Sequence, residues 1–332
     1  MTRLSVLDLM MIGEGKDYAD TLSEARALAK SVENFGYHRY WIAEHHDLPG
    51  IASAATTLLI QHLSAATSRL RVGAGGIMLP NHSPLVIAEQ FATLETLFPG
   101  RIDLGLGRAA GAAAPSIVAL RGRAPERDFE NDIEQLHDYL FDNGRQPVRG
   151  IPGAHDVPLW ILGSSLHSAD LAARRGLPYA FASHFAPHYL MPAISHYRKH
   201  FQPSSDLSLP YVAVGVNAIA ADSHEEAEHH ASSHFHWVNL LHEGRPGPLP
   251  KPTSDYFSDL SDNQRRVFGQ ALACSAVGNP EEVAQWLHQF VAATQADELV
   301  IDARIYDPSA RTRSYQLISE AFSQYHAFSP AA

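Results

Sequence analysis

The sequence predicts a (β/α)8 barrel, and three observations favour this fold class. Short apolar strands alternate with helical segments along nearly all of the 332 residues. Residues 70–108 form the clearest unit, in which a helix separates two buried strands, as in a right-handed β-α-β crossover. Eight strands, each followed by helical sequence, fit one barrel better than two doubly wound domains. We therefore expect residues 1–332 to form a single domain.

The first half of the chain contains four strand-and-helix units. Gly36 follows the first helix, and glycine is the residue best suited to a left-handed helix stop. In the third unit, Ser83-Pro84 begins a helix with an apolar stripe and Pro99-Gly100 ends it. Residues 109–123 are rich in alanine and glycine, lack a clear periodicity and are interpreted as a loop. The four strands span residues 4–11, 38–43, 70–78 and 102–106, and the other three helices span 20–35, 53–66 and 128–141.

The second half supplies four more units and one irregularity. Residues 244–262 are rich in proline and leave the regular pattern, so we expect an insertion after the seventh strand, within residues 241–275. The strands are expected at residues 157–162, 179–182, 211–218 and 298–303, and the helices at 168–175, 188–201, 223–240, 280–293 and 310–325.

The composition excludes several classes of partner. A net charge of −11 argues against nucleic acid and against anionic membranes, because both are bound by basic surfaces. No apolar run reaches the roughly 18 residues of a membrane-spanning helix. The single cysteine, Cys274, has no partner for an intramolecular disulfide and suits a reducing compartment. We therefore expect a cytoplasmic protein that binds neither nucleic acid nor membrane.

The loop after the second strand holds a candidate catalytic residue. Active-site residues of (β/α)8 barrels come from the carboxyl ends of the strands and the loops that follow them. Glu44-His45-His46 lies in such a loop, where a histidine would exchange protons near neutral pH or hydrogen-bond an anionic intermediate. The alternative is an ordinary loop histidine, since the chain contains 20 histidines.

The third strand ends in glycines. Gly73-Ala74-Gly75-Gly76 has three glycines in four residues, which weakens a strand unless the backbone needs unusual torsions or a close approach. Close approach to a flat ligand is favoured over a simple bulge, because this stretch lies at the expected catalytic face.

The fourth and fifth strands end in residues suited to a phosphate. Arg108 is a permanently charged fork donor, and the alternative for it is a surface ion pair. Gly163-Ser164-Ser165 and Ser168 begin a helix, where free N–H groups, the helix dipole and hydroxyls bind anions; the same serines also suit plain N-capping. Gly105-Leu106-Gly107 resembles a dinucleotide fingerprint, but no helix opens at once, so a Rossmann fold is rejected.

One helix carries histidines at the spacing of metal ligands. Glu226, His230 and His234 share a face of the helix at 223–240. That helix is rich in charge and no ligand at a strand end accompanies it. We therefore expect a solvated face and no bound metal.

Together these residues resemble the bacterial-luciferase-like monooxygenase family of flavin-dependent oxidoreductases. The resemblance implies a (β/α)8 barrel that binds reduced FMN delivered by a separate flavin reductase. It also implies that His45 is the catalytic histidine and that Gly75-Gly76 is a non-prolyl cis peptide against the flavin ring. The matching stretches run in family order over nearly the whole chain, at residues 43–46, 73–80, 100–108, 162–165 and 176–185.

The resemblance implies the phosphate contacts and the reaction as well. Arg108, Ser164, Ser165 and Ser168 fall at phosphate-binding positions, although luciferase-type sequences carry an acidic residue where Ser164 stands. The implied reaction is monooxygenation of paired donors: reduced FMN and O2 form a C4a-peroxyflavin that oxidises a small organic substrate, while His45 stabilises or protonates the peroxy group. Members of the family commonly form homodimers through helices that flank the early strands.

Three other functions remain open. An enzyme that transfers hydride with the deazaflavin F420 belongs to the same superfamily, and the sequence does not separate the two cofactors. A flavin-binding protein without turnover is the second, and the retention of His45 and Arg108 argues against it. A metal-dependent barrel hydrolase is the third, and it rests only on the histidines near residue 230.

Overall fold

A computed structural model describes residues 2–109, 114–121, 128–141, 143–153, 156–254 and 256–328, which form one parallel sheet surrounded by helices. The strands are β1 (Arg3–Asp8), β2 (Arg39–Ile42), β3 (Arg71–Met78), β4 (Ile102–Gly107), β5 (Leu159–Gly163), β6 (Tyr179–Phe181), β7 (Val212–Ala220), β8 (Ser275–Gly278) and β9 (Glu298–Asp302). The helices are α1 (Tyr18–Asn34), α2 (Thr56–Ser64), α3 (Pro84–Leu97), α4 (Ala114–Arg121), α5 (Phe129–Phe141), α6 (Leu166–Arg175), α7 (Leu190–His200), α8 (His224–His242), α9 (Asp262–Ala271), α10 (Pro280–Thr294) and α11 (Pro308–Phe328). In the part of the chain so described, no helix has the length and apolar character needed to cross a bilayer.

Eight of the strands close into a barrel, as the sequence predicts. The hydrogen-bonded order is β6-β5-β4-β3-β2-β1-β9-β7, and β7 pairs in turn with β6. All of these pairings are parallel. The carboxyl ends of all eight strands therefore lie at one rim of the barrel, which is the catalytic face of this architecture.

The ninth strand, β8, lies outside the ring. It pairs with residues 217–220 of β7, beyond residues 212–214, where β6 pairs. The sequence predicts neither β8 nor the preceding α9, because β8 has only four residues and α9 is largely polar, so neither shows a readable period. The sequence also misses α4, which occupies part of the predicted loop at residues 109–123; residues 110–113 and 122–123 of that loop lie outside the described residues.

The apolar core has two layers separated by the wall of the barrel. The outer layer packs the strands against the helices and includes Val6 of β1. The inner layer fills the barrel and includes Leu7 of the same strand together with Trp41 and Trp160. Neighbouring residues of one strand thus serve opposite layers, as the period of two requires. Trp237 of α8 joins the inner layer, so α8 reaches over the carboxyl rim.

Buried charges fill the opposite, amino-terminal end of the barrel. Arg39 donates hydrogen bonds to Glu298 Oε1 and Asp103 Oδ2, both at 2.7 Å, and Arg71 donates to Asp103 Oδ1. Burial alone would raise the pKa of Asp103, but the charges of Arg39 and Arg71 hold it below its usual value. These charges are paired with one another at the end of the barrel remote from the catalytic rim, so we assign them a structural role.

Candidate active site

The predicted site residues lie along one arc of the carboxyl rim. His45 follows β2, Gly75-Gly76 lies in β3, Arg108 follows β4 and Gly163 ends β5. These four strands are consecutive neighbours in the barrel, and their pairings align their carboxyl ends. The closed barrel therefore brings together residues that are up to about 120 positions apart in the sequence.

His45 is partly buried at the mouth of the barrel. The charge of His45 contributes to lowering the pKa of His184, a residue that follows β6 on the opposite side of the ring. Burial is the main cause that lowers the pKa of His184 to about 4, and the charges of Asp302, Arg304 and His45 act on it in addition.

Glu44 fixes the loop that carries His45. Its Oε1 accepts hydrogen bonds from His46 Nε2 at 2.8 Å and from His82 Nε2 at 2.7 Å, and its Oε2 accepts the Met78 N–H at 3.0 Å. Burial would raise the pKa of this carboxyl, but these hydrogen bonds lower it below its usual value. The ionised Glu44 therefore ties the end of β2 to the end of β3 and limits the positions that His45 can take.

Glu44, His46 and His82 also form a possible metal-binding set. Their ligand atoms all lie within 4.8 Å of one another. Two ligands of a tetrahedral zinc ion are about 3.3 Å apart, since each lies about 2.0–2.1 Å from the metal. The observed separations of 2.7 and 2.8 Å are those of hydrogen bonds, so we assign these residues to a hydrogen-bonded network.

The glycines of β3 are explained first by the barrel's own packing. The Gly75–Gly76 peptide is cis, and the register with β4 shifts between Ala74 and Ile77. A Cβ at Gly75 would meet the Trp41 Cβ at 2.8 Å, and one at Gly76 would meet the Gly105 oxygen at 2.6 Å. The structure thus contains the irregularity that the sequence offers as one alternative, and the barrel's own packing leaves no room for a larger residue at either position. Close approach to a flat ligand stays a prediction.

The start of α6 shows the helix cap that the sequence offers as an alternative to phosphate binding. Ser165 Oγ accepts the Ser168 N–H, and the Ser168 hydroxyl lies close enough to the Ser165 N–H to complete a capping box. A Cβ at Gly163 would clash with Ser168 Oγ, so glycine is required there. Arg108 lies on the neighbouring strand end, is exposed, and makes no ion pair with any residue that the structure describes. The surface ion pair considered for Arg108 is therefore not found among the described residues.

A second polar group at the rim is not predicted as a site. We call it the buried imidazole cluster, and it consists of His184, Asn217, His234, Asp302 and Arg304, which are exposed by only 7, 3, 1, 1 and 6%. Arg304 Nε donates a hydrogen bond to Asp302 Oδ2 at 2.8 Å, and Arg304 Nη2 forms an ion pair with the same oxygen at 2.6 Å. Asn217 Nδ2 donates to the His184 carbonyl at 2.7 Å. The sequence does carry a signal for it, because His184 follows β6 and Asp302 ends β9.

The prediction of a solvated face on α8 is wrong for His234. Burial and, after it, the charge of Arg304 lower the pKa of His234 to about 3. Glu226, two turns earlier, is exposed, and His230 is half-buried. The first turns of α8 are therefore charged and exposed to solvent, whereas His234, in its second half, is buried at the barrel mouth.

The comparisons with known proteins place the chain in a family. The family model described as luciferase-like monooxygenase matches residues 2–297, and the chain belongs to that family. A luciferase-like monooxygenase of Escherichia coli K12 is 47% identical over 318 residues, 94% of this chain and 95% of the relative. An N-acetyl-S-alkylcysteine monooxygenase of Bacillus subtilis is 34% identical over 332 residues, 97% and 98% of the two chains. The crystal structure of apo-MsnO8 has a TM-score of 0.88 at 34% identity and covers 97% of this chain and 99% of its own.

Two more distant structures share the fold. The oxygenating constituent of 3,6-diketocamphane monooxygenase from Pseudomonas putida, in complex with FMN, has a TM-score of 0.71 at 17% identity, covering 98% of both chains. An F420-dependent secondary alcohol dehydrogenase has a TM-score of 0.67 at 14% identity, covering 97% of this chain and 99% of its own. At these identities the likeness concerns the barrel alone.

Proposed function

We propose that this protein is a monooxygenase that uses reduced FMN and O2 to oxidise a small organic substrate. The observation that carries the proposal is Arg108, which is exposed and has no ion-pair partner among the described residues, beside the N-terminus of α6. A guanidinium and a helix N-terminus at one rim suit a doubly charged phosphate. Membership of a family of monooxygenases supports the same reading.

The residues at the rim fit FMN. Arg108, Ser164, Ser165 and Ser168 would hold the phosphate, with Gly163 allowing the backbone to come close. Gly75-Gly76 is half-buried near the end of β3, and the flat flavin ring would lie against its backbone, which carries no side chains. Reduced FMN, when bound, supplies the electrons with which O2 is activated.

The chain's own groups would control the chemistry that the flavin supplies. An imidazole nitrogen of His45 would hold or deliver a proton at the reacting oxygen, and Glu44 would keep the loop of His45 in place. The inner apolar layer, with Trp41 and Trp237, would exclude water from the mouth of the barrel. His45 is therefore the proposed catalytic residue.

The proposal includes partners and a location. A separate flavin reductase would supply reduced FMN. A homodimer through α2 and α3 is supported by large apolar side chains that these helices leave exposed: Leu58 by 70%, Val86 by 45% and Leu97 by 57%. The single cysteine, which lies buried, suits the reducing cytoplasm.

Direct binding of reduced cofactors tests the proposal against its main alternative, hydride transfer with F420. Under anaerobic conditions, the protein is titrated separately with reduced FMN and reduced F420. We expect saturable binding of reduced FMN at micromolar concentration and a preference over reduced F420 of at least about tenfold, or ~1.4 kcal/mol. A preference for F420, or no binding of reduced FMN at micromolar concentration, would overturn it.

A further inference from the structure

The helix α4, which the sequence does not predict, is hydrogen-bonded to the loops that follow β2 and β3. Its described side chains, at residues 115–121, are all exposed or half-buried. Ser116 Oγ donates to Asp47 Oδ2 at 2.6 Å, in the loop after β2. Arg121 Nε donates to Asn81 Oδ1 at 2.9 Å, in the loop after β3. The helix thus bridges two loops of the candidate active site.

The two acceptors of these bonds are sequence neighbours of the two histidines that Glu44 binds. Asp47 directly follows His46. Asn81 directly precedes His82. Because Glu44 Oε1 accepts hydrogen bonds from both histidines, at 2.8 and 2.7 Å, the bonds and the chain between them form a closed ring. The ring runs from Glu44 through the loop after β2 to α4 and returns through the loop after β3.

His45 lies within this ring, between Glu44 and His46. Two residues after His45, the backbone of Asp47 has a left-handed torsion, with φ of 52°, which is uncommon for any residue other than glycine. The bond from Ser116 helps to hold Asp47 in that torsion. A loop whose two ends are tied has fewer conformations than one that is tied at a single end. Closing the ring with α4 therefore narrows the range of positions open to the His45 imidazole.

We propose that Ser116 and Arg121 are positioning residues for the proposed catalytic residue His45. By closing the ring, they hold the imidazole where it meets the reacting oxygen, and such prior placement is a large part of what an active site contributes to rate. They act through Asp47 and Asn81 and touch neither flavin nor substrate. The inference rests on the proposed function in giving His45 its catalytic role, whereas the ring itself needs no flavin.

A purely structural role for the two bonds fits the arrangement less well. Because its described side chains are exposed or half-buried, α4 adds little apolar burial to the barrel, and its docking contributes little to stability. Both bonds also converge on the two loops that Glu44 joins, although α4 follows β4 in the chain. The contacts are thus arranged around the loop of His45.

The first test observes His45 without flavin. The protein is labelled with carbon-13 at the histidine Cε1 atoms, and the His45 NMR signal is assigned by its absence from His45→Ala. In Ser116→Ala we expect this signal to move or broaden more than the signals of histidines outside the ring, because the opened ring gives the imidazole a wider range of positions. Ser116→Thr keeps the hydroxyl and should restore the wild-type signal.

Val118→Ala is the matched control for Ser116→Ala. Val118 lies on the same helix and is 54% exposed, and in both variants alanine replaces a weaker helix former. The control should leave the His45 signal unchanged. Equal changes in the two variants, or no change in Ser116→Ala, would overturn the proposal. A lowered thermal midpoint in Ser116→Ala with a wild-type His45 signal would assign the bond a structural role and overturn it as well.

Arg121→Ala opens the same ring on its other side. Since a ring that is opened once is already open, the double variant Ser116→Ala/Arg121→Ala should displace the His45 signal no further than the larger single variant does. Contacts that act as one unit are non-additive in this way, whereas independent contacts add. Additive displacements would therefore show two separate contacts and overturn the ring.

Reaction with O2 shows whether the positioning matters for the proposed chemistry. We expect Ser116→Ala and Arg121→Ala to change the lifetime of the flavin spectrum formed with O2 in the same direction as His45→Ala, by at least about twofold, as the loss of one hydrogen bond commonly does. Affinity for FMN and for riboflavin should stay as in the wild type. Weaker binding of FMN alone in Arg121→Ala would make Arg121 a phosphate ligand and overturn its positioning role.

The two readouts separate this inference from the proposed function. If the His45 signal depends on Ser116 but reduced FMN does not bind, the ring stands and the flavin proposal falls. If His45→Ala alters the reaction of bound reduced FMN with O2 and neither α4 variant does, the flavin proposal stands and the inference is overturned.

Discussion

At equal burial, hydrogen-bond partners decide which residues at the barrel mouth keep their charge. Glu44 and His234 are both 1% exposed. Glu44 receives three hydrogen bonds, and these hold its pKa below the usual value although burial opposes them. His234 receives none from the described residues, and burial drives its pKa down to about 3. Glu44 is therefore charged and His234 neutral across the physiological range.

The neutral His234 gives stability a dependence on pH that can be measured. Its pKa is near 6.5 in the unfolded chain and about 3 in the folded protein, so the unfolded chain binds an extra proton between these values. The free energy of unfolding therefore falls as the pH decreases from about 6.5, by up to about 1.4 kcal/mol per pH unit for this residue.

His234→Phe should remove that share of the pH dependence. Urea unfolding measured between about pH 6.5 and pH 4.5 should show a shallower loss of stability in this variant than in the wild type, while His236→Phe should follow the wild type. His184, whose pKa is also lowered by burial, keeps its share in all three proteins. An unchanged slope in His234→Phe would show that His234 is not buried in its neutral form.

At the scale of helices and strands, an N-terminal capping box alone does not identify an anion-binding site. The capping box at Ser165 and Ser168 also occurs at the start of α1, with Asp17 and Asp20, and at the start of α10, with Asn279 and Glu282. What distinguishes α6 is the adjacent end of β4 with Arg108. The phosphate proposal therefore depends on two elements acting together.

Replacing Arg108 should affect FMN and riboflavin differently. Arg108→Ala removes a charge-assisted contact with the phosphate, which is commonly worth about 1.5–3 kcal/mol, so FMN affinity should fall at least about tenfold. Riboflavin lacks the phosphate, and its affinity should change less than about twofold. Calorimetric titration of both flavins measures the difference. Arg313→Ala is a control, because Arg313 is exposed and pairs with Asp222 at 3.0 Å, remote from β4 in the sequence.

An equal loss of affinity for both flavins in Arg108→Ala would indicate a general disturbance of the rim. No loss for FMN would remove Arg108 from the phosphate site. In either case the role of α6 would have to be reassigned.

Over the whole molecule, the sequence predicts the barrel well because the barrel is repetitive. Each buried strand followed by a helix gives the same local signal, and Gly36 even adopts the left-handed torsion expected of it, with φ of 84°. The exceptions, α4, α9 and β8, are short or polar, so they give no periodic signal in the sequence.

The candidate site likewise contains residues that can be found from the sequence and residues that cannot. His45 and Arg108 come after strands and Gly75-Gly76 lies near the end of one, so all of them can be found as candidates from the strand list. His234 cannot, because only the tertiary placement of α8 over the rim makes a histidine on a charged helix a buried one. The pairing of Arg304 with Asp302 likewise depends on two side chains folding back on one strand end.

The reaction of the reduced complex with O2 tests the central claim most directly. The protein with bound reduced FMN is mixed with O2 in a stopped-flow spectrophotometer, beside free reduced FMN and the His45→Ala variant. We expect the wild-type complex to give a flavin spectrum distinct from reduced and oxidised FMN, longer-lived than with free flavin and altered in His45→Ala, although that variant still binds reduced FMN. Direct reoxidation to FMN at the rate of free flavin, with no effect of the His45 substitution, would contradict the claim that this protein is a monooxygenase.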